Sequence, residues 1–289
     1  MYFVGIDAGG TKTDFLLCDK NEREIKRVTL GAGNPNDIGI DACLSLFERG
    51  LDALCEGVTP DAVFAGVSGG GYGENAKKIR DFLKNRYPNS AVDNGPDAIN
   101  LIYCSNSSGN VGALICGTGN VIFLRKDQEL LRFGGWGHLL DNGGSGYDFG
   151  KMAISRLLLC EEIENEELFS PLCTLVRDKL GSSAHDALNS IYAKGKPYIA
   201  SFAPLVFEAS LKGDIQAQAI VDYNVKVVAD KLNFLHSAVT PLDEVVCAGG
   251  LFNSNLFYDL LSEKTKMPLS LLKAPPVFGA CRRAMELYS

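Results

Sequence analysis

The chain has 289 residues, of which 46% are hydrophobic and 22% charged, a composition typical of a globular protein rather than a disordered one. The length allows one large or two medium domains. Lys and Arg number 28 against 35 Asp and Glu, a net charge of -7 without a basic stripe, which predicts no nucleic-acid partner.

The first hundred residues predict an α/β layer. Tyr2 to Ala8 and Thr13 to Asp19 are rich in β-branched and aromatic residues and predict two strands joined by a glycine turn. Apolar positions at helical spacing between residues 40 and 54 predict a helix that Asp37 caps. Further strands are expected at Ile25 to Leu30, Ala62 to Val67 and Ser90 to Val92, and further helices at Glu74 to Asn85 and Asp97 to Asn106.

A second strand, glycine turn and strand begin near residue 110. Val111 to Cys116 and Val121 to Arg125 predict strands on either side of Gly117-Thr118-Gly119-Asn120. The two units read as a pseudo-repeat of two lobes. We expect an N-terminal lobe of residues 1–107 with a final helix of residues 276–289, and a C-terminal lobe of residues 108–275 with a helical insertion. Amphipathic helices are expected there at Lys151 to Leu159, Leu168 to Leu180, Tyr198 to Lys212 and Ile215 to His236.

The nine cysteines predict reduced core thiols rather than a metal centre. No two of them form a C-x-x-C pair, and most stand within apolar runs, where a thiol acts as a small hydrophobic group. The chain shows no apolar run of about 18–20 residues, so no membrane partner is expected. Because its start also lacks the features of a signal peptide, we expect a cytoplasmic location.

The two glycine turns are candidates for binding phosphate. Backbone N–H groups approach phosphate oxygens closely only where no Cβ intervenes. The first turn supplies Gly9, Gly10, Thr11, Lys12 and Thr13, and the second supplies Gly117, Thr118 and Gly119. Asp7, immediately before the first turn, is a candidate carboxylate for hydrated Mg²⁺. A glycine hairpin alone is weak evidence, but two of them with Asp7 favour a nucleotide site.

Asp97 is the candidate catalytic base. Phosphoryl transfer to a hydroxyl group needs an acceptor for the proton, and Asp97 follows a strand at the start of a predicted helix. The same position suits a helix N-cap, so the residues alone leave both roles open.

The paired turns resemble the phosphate loops of the actin, hexokinase and Hsp70 superfamily, whose two lobes grip ATP phosphates between paired hairpins. Within it, the chain resembles the BadF/BadG/BcrA/BcrD ATPase family, and particularly its N-acetylglucosamine and glucosamine kinase branch. The resemblance implies an actin-like, ribonuclease H-like α/β fold with a mixed five-stranded sheet in each lobe. The motifs that carry it are Asp7 to Thr13, Gly33-Asn34-Pro35, Val67 to Gly70, Asp97-Ala98, Gly117 to Gly119, Gly134 to His138, Gly144 to Tyr147 and Phe278 to Ala280.

This resemblance implies an ATP- and Mg²⁺-dependent kinase that phosphorylates the 6-hydroxyl of an amino sugar, with Asp97 as the base. It assigns adenosine contacts to Gly249, Gly250 and Asn253. It assigns sugar contacts to Asn34, Asp97, Asn120, Gly135, Trp136, Gly137, His138 and Asn142. Trp136 could instead be a core residue, and His138 could order its loop.

Asn142 departs from the family pattern, in which an aspartate binds the sugar at this position. An amide can donate a hydrogen bond where a carboxylate only accepts, so the sugar that it selects can differ. Two other functions stay open, an ATPase that activates a partner reductase and a sensor that binds nucleotide and sugar without turnover. The sequence also leaves a homodimer open.

Overall fold

The computed structural model describes residues 1–107, 109–126, 129–163 and 169–289. The chain forms two compact units, Met1–Ser108 with Leu272–Ser289, and Gly109–Leu271. The described residues of each unit contain one mixed five-stranded sheet with helices against it, which confirms the predicted fold class. Ser108 and Leu168, where a lobe and a helix were predicted to begin, lie outside the described residues.

The N-terminal unit has strand order β3-β2-β1-β4-β5, in which β1, β4 and β5 are parallel and β2 and β3 are antiparallel to their neighbours. Its elements are β1 (Tyr2–Ala8), β2 (Thr13–Asp19), β3 (Glu24–Leu30), α1 (Pro35–Ile38), α2 (Ile40–Cys55), β4 (Ala62–Val67), α3 (Gly73–Arg86), β5 (Ala91–Gly95) and α4 (Ala98–Ile102), with α11 (Pro276–Tyr288) from the end of the chain.

Both faces of this sheet are covered, because its central strands are apolar on both sides. Val4 and Ile6 pack with α2 and α3 on one face, whereas Phe3 packs with α11 on the other. Gly5 allows α11 to approach the sheet closely. A Cβ at this position would lie 2.6 Å from the carbonyl oxygen of Val277.

The C-terminal unit has strand order β10-β9-β6-β7-β8. The strands β6 and β9 are parallel, and β6, β7 and β8 form an antiparallel meander. Its elements are β6 (Val111–Cys116), β7 (Asn120–Lys126), β8 (Glu129–Gly134), α5 (Gly146–Ile163), α6 (Pro171–Leu180), α7 (Ala184–Ala200), α8 (Ala203–Leu211), α9 (Ile215–Ala238), β9 (Glu244–Ala248), a 3-10 helix (Gly250–Asn253), α10 (Asn255–Lys264) and β10 (Leu269–Leu271).

Several local predictions were wrong. Asp37 lies inside α1 and caps nothing, since Asn34 is the N-cap of α1 and accepts a hydrogen bond from the Asn36 N–H, while Gly39 precedes α2. The helix expected from Asp97 to Asn106 is shorter, ending at Ile102. The sequence did not predict α7, β8 or β10.

The cysteines behave as predicted core thiols. All nine are free, and eight are buried, with Cys104 partly exposed. Burial raises the pKa of Cys43 to about 11, so its thiol stays protonated at neutral pH. Within the described residues, no helix combines the length and apolar character needed to cross a membrane.

Candidate functional site

The first glycine turn joins β1 to β2 in the N-terminal unit. The Gly9 N–H donates to the Lys12 carbonyl oxygen at 2.9 Å and so closes the turn. The Gly33 N–H donates to the Gly9 carbonyl oxygen at 2.9 Å, and the Thr13 hydroxyl donates to the Gly31 carbonyl oxygen at 3.0 Å. The loop before α1 therefore braces the turn, while residues 10–12 at its tip are exposed.

Lys12 is oriented by a buried carboxylate. Its Nζ lies 2.6 Å from Oδ2 of Asp14, which also accepts the Thr29 hydroxyl at Oδ1, at 2.6 Å. Burial alone would raise the pKa of Asp14, but the hydrogen bonds from Lys12 and Thr29 outweigh it and lower the pKa. Sequence reasoning did not assign Asp14 a role, although it stands one residue after the turn.

Asp7 lies at the end of β1 and is held by Asn100 of α4. The Asn100 side-chain amide donates to Asp7 Oδ1 at 2.7 Å. Burial raises the pKa of Asp7 to about 6; the bond from Asn100 opposes this rise, and the nearby carboxylates of Asp97 and Asp14 add to it. At neutral pH the carboxyl group is mainly ionised, and Asp97 and Asp14 lie close enough to repel it.

Asp97 stands at the N-cap position of α4, but its side chain makes no capping hydrogen bond. Burial raises the pKa of its carboxyl group, although hydrogen bonds that include one from the Ser68 hydroxyl act in the opposite direction. A carboxylate with a raised pKa is a stronger base at neutral pH than an exposed one. Ser68 was noted in a motif without a role; its position directly after β4 was the only available signal.

The predicted residues of this unit meet at the carboxyl ends of parallel strands. Asp7 is the next-to-last residue of β1, Ser68 follows β4, and Asp97 follows β5, so all three lie at one edge of the sheet. Asn34 is at the same edge, since a Cβ on Gly69 would collide with its side chain. This edge is where open α/β sheets characteristically bind ligands.

The second glycine turn borders a large cavity in the C-terminal unit. The Gly117 N–H donates to the Gly119 carbonyl oxygen at 2.9 Å, and the Gly146 N–H at the start of α5 donates to the Gly117 carbonyl oxygen at 2.7 Å. The cavity has a volume of about 990 Å³ and is lined by Gly117, Thr118, Gly146, Gly250 and Asn253, among others.

This cavity suits a nucleotide in size and chemistry. Its volume lies at the upper end of the roughly 300–1,000 Å³ typical of small-molecule sites. The N-terminus of α5, an 18-residue helix, lies at its wall and favours negative charge there. Phe207, Leu211 and Leu251 supply apolar surface for a flat ring. Gly249 does not line it but packs against the carbonyl group of Cys116.

A second cavity, of about 390 Å³, contains three of the predicted sugar residues, Asn120, Trp136 and Asn142. The Asn120 side-chain amide donates to the Gly143 carbonyl oxygen at 2.6 Å, which fixes the loop that carries Asn142. Trp136 is 65% exposed, so the alternative of a core tryptophan was wrong.

Three predicted sugar residues, Gly135, Gly137 and His138, do not line this cavity. The His138 ring packs edge-on against the Tyr147 ring, with 4.9 Å between the ring centres, and this contact orders the loop. The Gly137 N–H donates to Asp141 Oδ2 at 3.0 Å, and Gly135 accepts a bond from Arg132 at 2.6 Å. The roles of all these residues toward a ligand stay predictions.

Two five-stranded sheets, each containing a hairpin closed by a glycine turn, define an α/β protein with the actin-like ATPase fold. A protein of Chromobacterium violaceum provisionally assigned as an N-acetylglucosamine kinase has a similar crystal structure, with a TM-score of 0.68 at 21% identity, over 100% of this chain and 99% of the other. That likeness bears on the fold alone.

The profile of the BadF/BadG/BcrA/BcrD ATPase family matches residues 4–280, and the chain belongs to that family. It is 28% identical over 301 residues to the N-acetylmuramic acid/N-acetylglucosamine kinase of Clostridium acetobutylicum, covering 96% of each chain. It is also 28% identical over 297 residues to the N-acetyl-D-glucosamine kinase of Dictyostelium discoideum, covering 91% of this chain and 89% of the other.

Proposed function

We propose that this protein is an ATP-dependent kinase that transfers the γ-phosphoryl group to the 6-hydroxyl of an amino sugar such as N-acetylglucosamine or glucosamine. Kinases that act on such sugars match it over more than nine tenths of its length, at 91% and 96%. The observation that carries the proposal is the half-buried Asp97 carboxyl group, whose pKa is raised, at the carboxyl ends of parallel strands.

Asp97 is the proposed catalytic base. As the sugar oxygen attacks the γ-phosphorus, its proton passes to the Asp97 carboxylate, and the bond to the leaving ADP oxygen breaks. The Ser68 hydroxyl, bonded to Asp97, holds the carboxylate in one orientation. The raised pKa supports this role because proton transfer to a more basic carboxylate is more favourable.

The two glycine turns are proposed to bind the phosphates. Gly10, Thr11 and Lys12 at the exposed tip offer N–H groups, a hydroxyl and an ammonium group, while Gly9 and Thr13 hold the turn in shape. Gly117, Thr118 and Gly119 offer a second turn with the start of α5 beside it. Gly250 and Asn253, which line the larger cavity, are proposed to contact the adenosine, and Gly249, which packs against Cys116, is proposed to hold the turn that presents them.

Asp7 is the proposed holder of Mg²⁺, through bound water. The described residues contain no group of three or more His, Cys, Asp or Glu side chains with metal-binding geometry. The single carboxylate of Asp7 fits Mg²⁺, which commonly binds one or two carboxylates together with substrate phosphates rather than an all-protein cage. When bound, the ion neutralises charge on the transferring phosphoryl group.

Asn34 and the residues of the smaller cavity are proposed to bind the sugar. Amide groups of Asn34, Asn120 and Asn142 can both donate to and accept from sugar hydroxyls. The exposed ring of Trp136 offers a face for the apolar side of a pyranose. A cytoplasmic location, where ATP is supplied, fits this function.

The reductase-activator alternative is not favoured, because the curated relatives are kinases. The test of the kinase is ADP release measured with a panel of amino sugars, with mass spectrometry of the product. Asp97→Asn should abolish phosphoryl transfer and leave ATP binding nearly intact. Asp93→Asn is a matched control. Asp93 lies on β5, the strand that precedes Asp97, and pairs with Arg80 at 2.8 Å.

Normal turnover by Asp97→Asn would refute the proposed base. Nucleotide binding without sugar-dependent ADP release from the unmodified protein would instead favour the sensor.

A further inference from the structure

Asn224 is a polar residue on the buried, apolar face of helix α9. It lies among Val221, Val225 and Val228 and is completely buried. Asparagine is a weaker helix former than leucine or alanine, and an amide group is costly to bury unless its donors and acceptor are bonded. The polar partners of this side chain therefore indicate what it does.

The side-chain amide of Asn224 connects α9 to the loop that precedes α5. Its Oδ1 accepts a hydrogen bond from the Gly144 N–H at 2.8 Å, although the two residues are 80 positions apart in the chain. Its Nδ2 donates to the Ile220 carbonyl oxygen at 2.9 Å and lies 3.4 Å from the Met152 sulfur of α5. The contact with Ile220 fixes the amide plane and directs the oxygen at Gly144.

Gly144 belongs to a sharp bend formed by residues 142–146. Gly143 and Gly144 have φ values of 83° and 81°, in the left-handed region that suits glycine. The Asn120 side-chain amide donates to the Gly143 carbonyl oxygen at 2.6 Å. That carbonyl group and the Gly144 N–H belong to one peptide group, which we call the 143–144 peptide. Asn120 and Asn224 therefore hold this peptide by its oxygen and by its N–H.

The 143–144 peptide lies between the walls of the two cavities along the chain. Asn142 and Gly143 line the smaller cavity, and Gly146 lines the larger one. The Gly146 N–H also donates to the carbonyl oxygen of Gly117 in the second glycine turn, at 2.7 Å. A rotation of this peptide would displace Asn142 on one side and the start of α5 on the other.

We propose that Asn224 is a positioning residue for both substrates. By holding the 143–144 peptide, it places Asn142 toward the sugar and Gly146 toward the nucleotide. Asn224 itself lines neither cavity, so it acts through the bend and not by contact with a ligand. This inference rests on the proposed kinase function and adds one residue that governs the binding of sugar and nucleotide together.

Asn224→Leu removes the hydrogen bond to Gly144 and keeps a side chain of similar size in the helix. It should raise the KM for N-acetylglucosamine and the KM for ATP, each about tenfold, as expected for the loss of a buried hydrogen bond. A residue with a purely structural role would lower the amount of folded enzyme, and hence the apparent kcat, without changing either KM. Steady-state kinetics with each substrate varied in turn measures both constants.

Asn233→Leu is the matched control. Asn233 lies on the same helix and also bonds to a distant backbone, donating to the Lys264 carbonyl oxygen and accepting from the Lys266 N–H, both at 2.8 Å. Its loss should reduce stability and leave both KM values unchanged. Asn224→Asp keeps an oxygen for the Gly144 N–H and should restore both KM values toward those of the unmodified enzyme. Unchanged KM values in Asn224→Leu, or a rise in only one of them, would overturn the inference.

The unmodified protein offers a test that does not depend on the folding of a variant. Because each ligand fixes one side of the bend, ADP alone and N-acetylglucosamine alone should each slow hydrogen exchange of the Gly144 N–H severalfold, as measured by NMR. Slower exchange with only one ligand, or with neither, would contradict the proposed role.

If the unmodified protein shows no sugar-dependent ADP release, the kinase proposal fails, and calorimetry then decides the inference separately. Dissociation constants for ADP and for N-acetylglucosamine that are both about tenfold higher in Asn224→Leu than in Asn233→Leu would support it. If either ligand does not bind, or binds the two variants equally, the inference is wrong.

Discussion

The side-chain amide of Asn100 bonds to the carboxylate of Asp7 at 2.7 Å, although the two residues are 93 positions apart in the chain. Asn100 is completely buried, and its Oδ1 has no hydrogen-bond partner among the residues that the structure describes. Gly66 and Gly279 leave the space that its side chain and backbone occupy. The residue proposed to hold the metal is therefore fixed by an asparagine that cannot move away.

Asn100→Ala should weaken the apparent affinity for Mg²⁺ about tenfold and destabilise the fold by about 1–3 kcal/mol, because Asp7 loses its buried donor. Titration of activity with Mg²⁺ and denaturant unfolding measure the two effects. Asn94→Ala also alters a buried asparagine of the same unit and should change stability alone. An unchanged Mg²⁺ dependence in Asn100→Ala would contradict the positioning role.

The buried carboxyl group of Asp7 should make the free energy of unfolding decrease as the pH rises. Its pKa is about 6 in the folded protein against 3.8 in the reference state, so between these values the folded state binds more protons than the unfolded one. Without metal and nucleotide, Asp7→Asn should therefore gain stability over the unmodified protein from pH 4 upward, by up to about 3 kcal/mol near pH 7. Denaturant unfolding at several pH values measures it. If the difference in unfolding free energy between the two proteins did not vary with pH, burial would not raise the pKa of this carboxyl group.

Asp14→Asn should release Lys12 from its 2.6 Å contact and raise the KM for ATP severalfold, with a loss of about 1–3 kcal/mol in stability. Since the pKa of Asp14 is lowered on folding, its contribution is present at neutral pH and disappears as acid protonates it. Thr29→Val removes the other hydrogen bond to Asp14 and serves as the control. An equal KM for ATP in both variants would mean that the ion pair does not orient Lys12.

Gly249→Ala should reduce nucleotide affinity at least tenfold, because its φ of 106° is strained for alanine and its Cβ would collide with the carbonyl of Cys116. Gly213 has a φ of 86° with nothing within 4 Å of an added Cβ, so Gly213→Ala isolates the strain, at about 1–2 kcal/mol. The dissociation constants of a fluorescent ATP analogue, measured for Gly249→Ala and Gly213→Ala, compare the two variants. Equal affinities would show that the close approach at Gly249 is not needed.

The hairpins could be predicted from sequence because glycines interrupt alternating apolar residues at both turns. The helix α7 could not, since Gly195 adopts a φ of 65° within it and Pro197 follows, and both residues ordinarily end a helix. The cap assigned to Asp37 failed because Asn34 and Pro35 begin a short helix before α2.

Contacts between distant parts of the chain account for what the sequence could not show in the site. Asn100 looks like an ordinary polar residue of a helix until β1 brings Asp7 beside it. Arg132 and Lys231 belong to a strand and a helix that only the folded unit places at one cavity. Asn34 was found through the family resemblance, and its local contact with Asn36 gives no hint of a ligand.

Helix α11 covers one face of the first sheet with Val277, Ala280, Cys281 and Ala284. In the sequence, however, the whole second unit lies between this helix and the strands that it covers. On the ribosome, Phe3, Leu16 and Phe64 of the early strands therefore stay uncovered until α11 has been synthesised. The continuous unit, Gly109–Leu271, is able to fold before then, and premature release of the nascent chain would leave an aggregation-prone sheet.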